Sequence, residues 1–137
     1  SSAASDVYKR QNVQNGRLVW NAKVDAVTGP VADGRLVYEV DDASRIHAFN
    51  RQNGREAWVN ESFLYRSASA PIRVGTSLAF GDYEGNITFL DPATGTPVAR
   101  TKLSGAVTTP AAQYGYGAVF QTVEGDVAYV VEGADSE

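Results

Sequence analysis

Asn53-Gly54-Arg55-Glu56-Ala57-Trp58 restates Asn15-Gly16-Arg17-Leu18-Val19-Trp20 after 38 residues, and Thr94-Gly95 opens a third version 41 residues further on, with Ala99 in the place of tryptophan. A second landmark keeps the same beat. Thr28-Gly29-Pro30, Ser69-Ala70-Pro71 and Thr108-Thr109-Pro110 set their prolines 41 and 39 residues apart. A period near ~40 residues, with short apolar runs and no helical stripe between the marks, is the signature of stacked β-blades, in which no repeat buries its own faces alone. The fold class that follows is all-β: a partial β-propeller of about three blades, each a four-stranded antiparallel sheet.

Working outward from the landmarks, each copy divides into short strands and turns. In one blade, 28–60, Asp33-Gly34 is a tight-turn signal, and Leu36, Tyr38 and Val40 share one face of a period-2 strand. Asp41-Asp42-Ala43-Ser44 then turns into Ile46-His47-Ala48-Phe49, and Asn50 to Gly54 turns into the strand that carries Trp58. The next blade, 69–103, repeats this with Ser77-Leu78-Ala79-Phe80, the turn Asp82-Tyr83-Glu84-Gly85 and Asn86-Ile87-Thr88-Phe89-Leu90. A partial blade, 106–131, supplies three strands, and residues 132–137 read as an acidic tail. Residues 17–24 read as an orphan outer strand whose own blade is missing. The opening residues 1–11 have no counterpart in the repeats and read as an adapter-like segment foreign to the fold. Propellers close with about four to eight blades, so the chain is expected to be a fragment whose end blades show apolar faces and open edges.

Bulk composition narrows the function classes. The 137 residues include 43% hydrophobic and 10% aromatic side chains, as expected of a folded domain rather than a disordered one. A formal charge of −4 argues against nucleic-acid or anionic-membrane binding through bulk electrostatics. Cysteine is absent, which removes disulfides and thiolate metal sites. No apolar stretch approaches the ~18–20 residues of a membrane helix.

The ordered segments resemble those of PQQ-type propellers, and more closely the BamB family of outer-membrane protein assembly factors. The resemblance lies in Asn15-Gly16 to Trp20, in Ile46 to Asn50 with Asn53-Gly54 to Trp58, in Phe63-Leu64-Tyr65-Arg66 before Ser69-Ala70-Pro71, in Gly81-Asp82-Tyr83-Glu84-Gly85 before Phe89-Leu90, and in Phe120 to Tyr129. It runs from about Asn12 to Val131 and is similar to the C-terminal portion of the family. It implies an eight-bladed, non-enzymatic periplasmic scaffold that helps fold and insert outer-membrane proteins within the β-barrel assembly machinery. Such a scaffold is held at the outer membrane by a lipid anchor that this segment lacks, and it binds the POTRA domains of the β-barrel insertase. The alternative within the same repeat class is a fragment of a PQQ- and Ca²⁺-dependent quinoprotein dehydrogenase. Those enzymes need a cofactor-stacking Trp, a carboxylate base and, frequently, adjacent cysteines, and none is identifiable here.

No residue is assigned a catalytic, cofactor-binding or metal-binding role, and no cofactor is expected. Phe63, Tyr65 and Arg66 are the candidate partner-binding residues, because aromatic and Arg side chains grouped on a loop are the usual material of a protein contact. The competing reading has Arg66 hydrogen-bonded to carbonyls of neighbouring blades and the aromatics filling the gap between them. The carboxylates Asp41, Asp42, Asp82, Glu84, Glu124 and Asp126 recur at one type of turn and form a mildly acidic rim. Turn formation accounts for them, since their spacing is not that of a calcium loop. His47, the single histidine, has no second histidine, cysteine or nucleophile with which to build a metal site or triad, and it reads as a tolerant packing position. Trp20 and Trp58 read as packing anchors of the outer strands, not as a cofactor clamp.

Overall fold

The computed structural model describes residues 16–107 and 110–133; the segment 1–11 lies outside them. Three antiparallel sheets follow one another in chain order. Sheet 1 contains β1 (Val31–Ala32), β2 (Leu36–Val40), β3 (Ile46–Asn50) and β4 (Glu56–Asn60). Sheet 2 contains β5 (Ile72–Val74), β6 (Ser77–Gly81), β7 (Asn86–Leu90) and β8 (Pro97–Lys102). Sheet 3 has three strands, β9 (Ala112–Tyr114), β10 (Gly117–Gln121) and β11 (Val127–Val131). The expected all-β blade architecture is what the chain adopts.

One turn design recurs between the second and third strand of each sheet. The backbone N–H of Asp41, Asp82 and Thr122 donates to the carbonyl four residues on, at 3.0, 3.1 and 2.9 Å. The side-chain oxygen of the same residue then accepts from the turn itself. Asp41 takes the N–H groups of Ala43 and Arg45, Asp82 those of Glu84 and Asn86, and Thr122 that of Asp126. A short polar side chain that bonds its own backbone is what stabilises such a turn. These oxygens are therefore occupied by turn geometry.

Packing makes the middle sheet the centre of the structure. The inner face of sheet 1 (Tyr38, Val40, Ile46, Ala48) meets Leu78, Phe80 and Leu90 of sheet 2, and Phe63 closes the layer edge-on to Phe80 with ring centroids 4.8 Å apart. The opposite face of sheet 2 (Ala79, Ile87, Phe89) packs with Val107, Ala118 and Phe120. Strands β6 and β7 are accordingly buried at every residue, whereas β11 alternates between exposed and half-buried. Burying each such side chain contributes on the order of 1.5–3 kcal/mol, so sheet 2 carries two layers of stabilisation and each end sheet one.

The repeated glycines and tryptophans meet across sheets. Gly54 and Gly95 both have left-handed backbone, at φ +75° and +77°, and each lies under the tryptophan of the preceding copy. A Cβ on Gly54 would stand 2.7 Å from the Trp20 ring, and one on Gly95 would stand 2.5 Å from the Trp58 ring. The indole N–H groups complete the contact, Trp20 Nε1 donating to Arg51 O at 2.6 Å and Trp58 Nε1 to Pro92 O at 2.9 Å. Asn60 adds a bond from Nδ2 to Gly95 O at 2.7 Å. Glycine is required twice over at these turns, by the sign of φ and by the approach of the ring.

Two segments differ from the sequence expectation. Residues 17–24 form no ladder; a single antiparallel bridge, Ala26 to Asp41, stands just beyond them. An outer strand needs an inner neighbour, and none is present among the described residues; Trp20 joins the segment to the next turn through its ring on Gly54 and its N–H on Arg51 O. Glu132, read from sequence as the start of an acidic tail, instead reaches back to sheet 2. Its carboxylate accepts from Thr76 N at 2.9 Å and from the hydroxyls of Thr76 and Ser77, each at 2.7 Å. Those bonds hold its pKa below the ordinary carboxylate value.

Two outcomes follow for stability, both read by urea denaturation of the chain. Gly125 has φ +98° with open space around it, so Gly125→Ala should cost about 1–2 kcal/mol from backbone strain alone. Gly95→Ala should cost at least about twice that, and most of the excess should vanish in a Trp58→Ala background; equal costs for the two glycines would contradict the clasp. Glu132→Ala should destabilise by about 1–3 kcal/mol and selectively raise amide exchange at the β5–β6 turn, whereas a wild-type exchange pattern would show that Glu132 holds nothing.

Candidate partner-binding surface

The link between β4 and β5, residues 61–71, carries all three candidate residues and treats them differently. Phe63 is turned inward and is 3% exposed in the layer between sheets 1 and 2. That withdraws it from the surface grouping expected from sequence: an aromatic ring at a gap between two apolar faces gains more from burial than from exposure. Tyr65 points out, 77% exposed, on left-handed backbone at φ +61°. Its N–H donates to Ala43 O at 2.9 Å, which fixes the loop against the Asp41 turn.

Arg66 lies between these roles. Its Nε donates to Asp82 Oδ2 at 3.2 Å and its Nη2 to Glu84 Oε1, so the guanidinium crosses from the loop to the next acidic turn. The partners are carboxylates, not the blade carbonyls of the competing sequence reading. Asp82 is buried, and a buried carboxylate is favourable only when paired; Arg66 pairs it while a third of its own side chain stays in solvent. Beside the loop is a recess of about 870 Å³ lined by Asp41, Asp42, Ser44, Tyr65 and Ala70 among others. The surface therefore presents one projecting phenol and a fixed guanidinium beside paired carboxylates.

His47 is the residue that sequence reasoning undervalued. Its Nε2 lies 2.8 Å from Asp41 Oδ2 and its Nδ1 2.9 Å from Glu56 Oε2, and its ring is stacked parallel to Phe49. Both neighbours are carboxylates, so the imidazolium form, in which both ring nitrogens donate, is the one this geometry favours. Burial opposes that charge, but the bonds to Asp41 and Glu56 outweigh it and raise the His47 pKa. Asp41 shows the counterpart: burial pushes its pKa up, yet His47, the backbone of Arg45 and Ala43, and the Arg45 guanidinium bring it down to about 2. The available signal was register, because His47 pairs across the ladder with Glu39 on one side, while on the other Glu56 faces Phe49, two residues further along β3 on the same face. Among the described residues no group of three or more His, Cys, Asp or Glu side chains is arranged to hold a metal.

The pH dependence follows from the sign of these shifts. Stability from a histidine with a raised folded-state pKa is fully present below its unfolded value, near 6.5, and is lost as the pH rises through the folded value. The urea midpoint of the chain should therefore fall between pH 6 and pH 8.5, and His47→Gln should flatten that fall. Identical slopes in the two proteins would remove His47 from the account.

Comparison with known proteins agrees with this architecture. A family model described as outer membrane protein assembly factor BamB matches residues 1–60. The protein of that name from Bordetella pertussis is 31% identical over 116 residues, which cover 84% of this chain and 30% of the relative. Among solved structures, BamB from Moraxella catarrhalis superposes with a TM-score of 0.78 at 24% identity, over 83% of this chain and 34% of that one. A quinohemoprotein alcohol dehydrogenase from Pseudomonas putida HK5 superposes less well, with a TM-score of 0.54 at 16% identity, over 72% of this chain and 17% of that one, and shares the fold alone. The chain thus spans about a quarter to a third of the length of the curated relatives it matches. With one family name carried by the family model and by the sequence relative, and the superposition giving the same fold, this chain belongs to the BamB family.

Proposed function

We propose that this chain is a segment of a non-enzymatic scaffold subunit of the β-barrel assembly machinery, acting in the periplasm at the outer membrane. The observation that carries the reading is the 31% identity to an outer membrane protein assembly factor over most of the chain. The chemistry of the described surface supports it. The buried turn carboxylates Asp41 and Asp82 are engaged in turn hydrogen bonds and ion pairs, which makes them structural members of the scaffold. Attachment to the membrane through a lipid anchor elsewhere in the protein belongs to the same reading.

In this reading the partner is the POTRA region of the insertase, and this segment contributes a contact through Tyr65 and Arg66. Tyr65 is a rigid amphipathic side chain held outward, and Arg66 is preorganised by Asp82 and Glu84, which lowers the cost of ordering it on binding. Phe63 acts from behind by fixing the loop. The acidic rim favours a basic face on the partner.

Retention of purified POTRA domains by the full-length protein carrying this segment tests the reading. Wild-type retention at micromolar concentration is expected, with Tyr65→Ala weakening it about tenfold. Absence of wild-type retention would overturn the partner assignment. Unchanged affinity in both Tyr65→Ala and Arg66→Ala would move the contact to other blades.

A further inference from the structure

The linker between sheets 1 and 2 is stitched to a turn on either side. Tyr65 N–H donates to Ala43 O at 2.9 Å and Ala68 N–H to Ser44 Oγ at 3.0 Å, which ties it to the Asp41 turn of sheet 1. Tyr83 N–H donates to Arg66 O at 3.1 Å and Ser69 N–H to Gly81 O at 2.8 Å, which ties it to the Asp82 turn of sheet 2. Both flanking sheets belong to the chain, so whatever is exposed on this linker is exposed with its neighbouring sheets in place. Two tyrosines are, Tyr65 by 77% and Tyr83 by 48%, and they rise from backbone segments that meet at Arg66.

Stacking of the sheets does not require them. The next linker, 103–107, packs on its own turn in the same way, Val123 N–H donating to Ala106 O at 2.9 Å, and contains neither an aromatic residue nor an arginine. Backbone strain marks the same place. Among the described residues only Ser44, Tyr65 and Ser67 have left-handed backbone without being glycine, at φ 67°, 61° and 53°, and all three line the recess beside Tyr65. Such backbone is costly for a residue with a Cβ, and it persists where the surroundings over-determine it, as at binding clamps.

Charge then decides what the patch receives. Asp41, Asp42, Glu61, Asp82 and Glu84 stand there against two guanidiniums and the His47 ring. All three cationic groups are committed: Arg45 to Asp41 and Glu61, His47 to Asp41 and Glu56, Arg66 to Asp82 and Glu84. None is left to take an anion. The Asp42 carboxylate has no hydrogen bond or ion pair among the described residues, and it lines the recess together with Tyr65. An exposed aromatic face beside an uncompensated carboxylate attracts a cation. We infer that this rim docks basic side chains of the partner, one arginine or lysine between Tyr65 and Asp42 and a second on Tyr83. The inference rests on the partner-binding function proposed for the chain, and adds to it two contact residues, Asp42 and Tyr83, and the charge of the segment they receive.

Titration of the full-length protein carrying this segment with purified POTRA domains, and separately with a tetra-arginine peptide, tests the site. Asp42→Lys should weaken POTRA binding about tenfold at low salt and reduce its salt dependence. Tyr83→Ala should weaken it about threefold. Both positions are at the surface, so the circular dichroism spectrum should be unchanged in each variant. POTRA binding that is equal in wild type, Asp42→Lys and Tyr83→Ala overturns the inference and leaves the partner assignment standing. If the wild type retains no POTRA domains, the partner assignment falls and the peptide decides. Tetra-arginine binding that Asp42→Lys and Tyr83→Ala both weaken upholds the cation site, whereas no peptide binding, or binding indifferent to both substitutions, removes it.

Discussion

The contact of the Trp58 ring with left-handed Gly95 in the next turn is the interaction on which the stacking of sheet 1 on sheet 2 depends. Hydrogen bonds within a sheet fix its strands but say nothing about its neighbour, and apolar faces slide over one another at little cost. The ring of Trp58, closed over Gly95 with its N–H on Pro92 O, and Asn60 on Gly95 O, fix position and direction together. Any side chain at Gly95 would occupy the volume of the ring. The clasp thus converts a non-directional hydrophobic layer into a defined stacking of one sheet on the next.

The stacking produces a gradient along the chain. In sheet 2, covered on both sides, the two central strands β6 and β7 are buried at every position, while sheet 3 presents tyrosine and valine to solvent. The same type of residue has opposite environments in successive copies because burial belongs to the pair of sheets and not to the strand. Glu132 offsets part of this at the exposed end, tying the last described residues to the β5–β6 turn with three hydrogen bonds.

On the rim, the acidic turns do two tasks. Asp41 and Asp82 first satisfy the backbone of their own turns, and their second oxygens then recruit His47 with Arg45 in one copy and Arg66 in the next. A turn residue at a repeated position is thereby given a different partner in each copy. This is how a uniform scaffold acquires distinct local surfaces, and it is why Arg66 stands fixed beside Tyr65 instead of moving freely in solvent.

What the sequence alone determined was the period, the strand and turn alternation, and the residues that mark each copy. These follow from rules acting within a few positions: period-2 faces in Leu36-Tyr38-Val40, turn chemistry at Asp33-Gly34, and glycines where φ must be positive. What only the tertiary structure decided was direction between copies. Phe63 and Tyr65 are two residues apart on one loop, yet one is in the core and the other in solvent, because only the first reaches the gap over Phe80. The pairings of His47 with Asp41 and Glu56, of Arg66 with Asp82, and of Glu132 with Thr76 and Ser77 are likewise absent from any local pattern. The strand expected at 17–24 marks the same boundary. Its sequence is that of an outer strand, but a strand exists only where a neighbour accepts its hydrogen bonds.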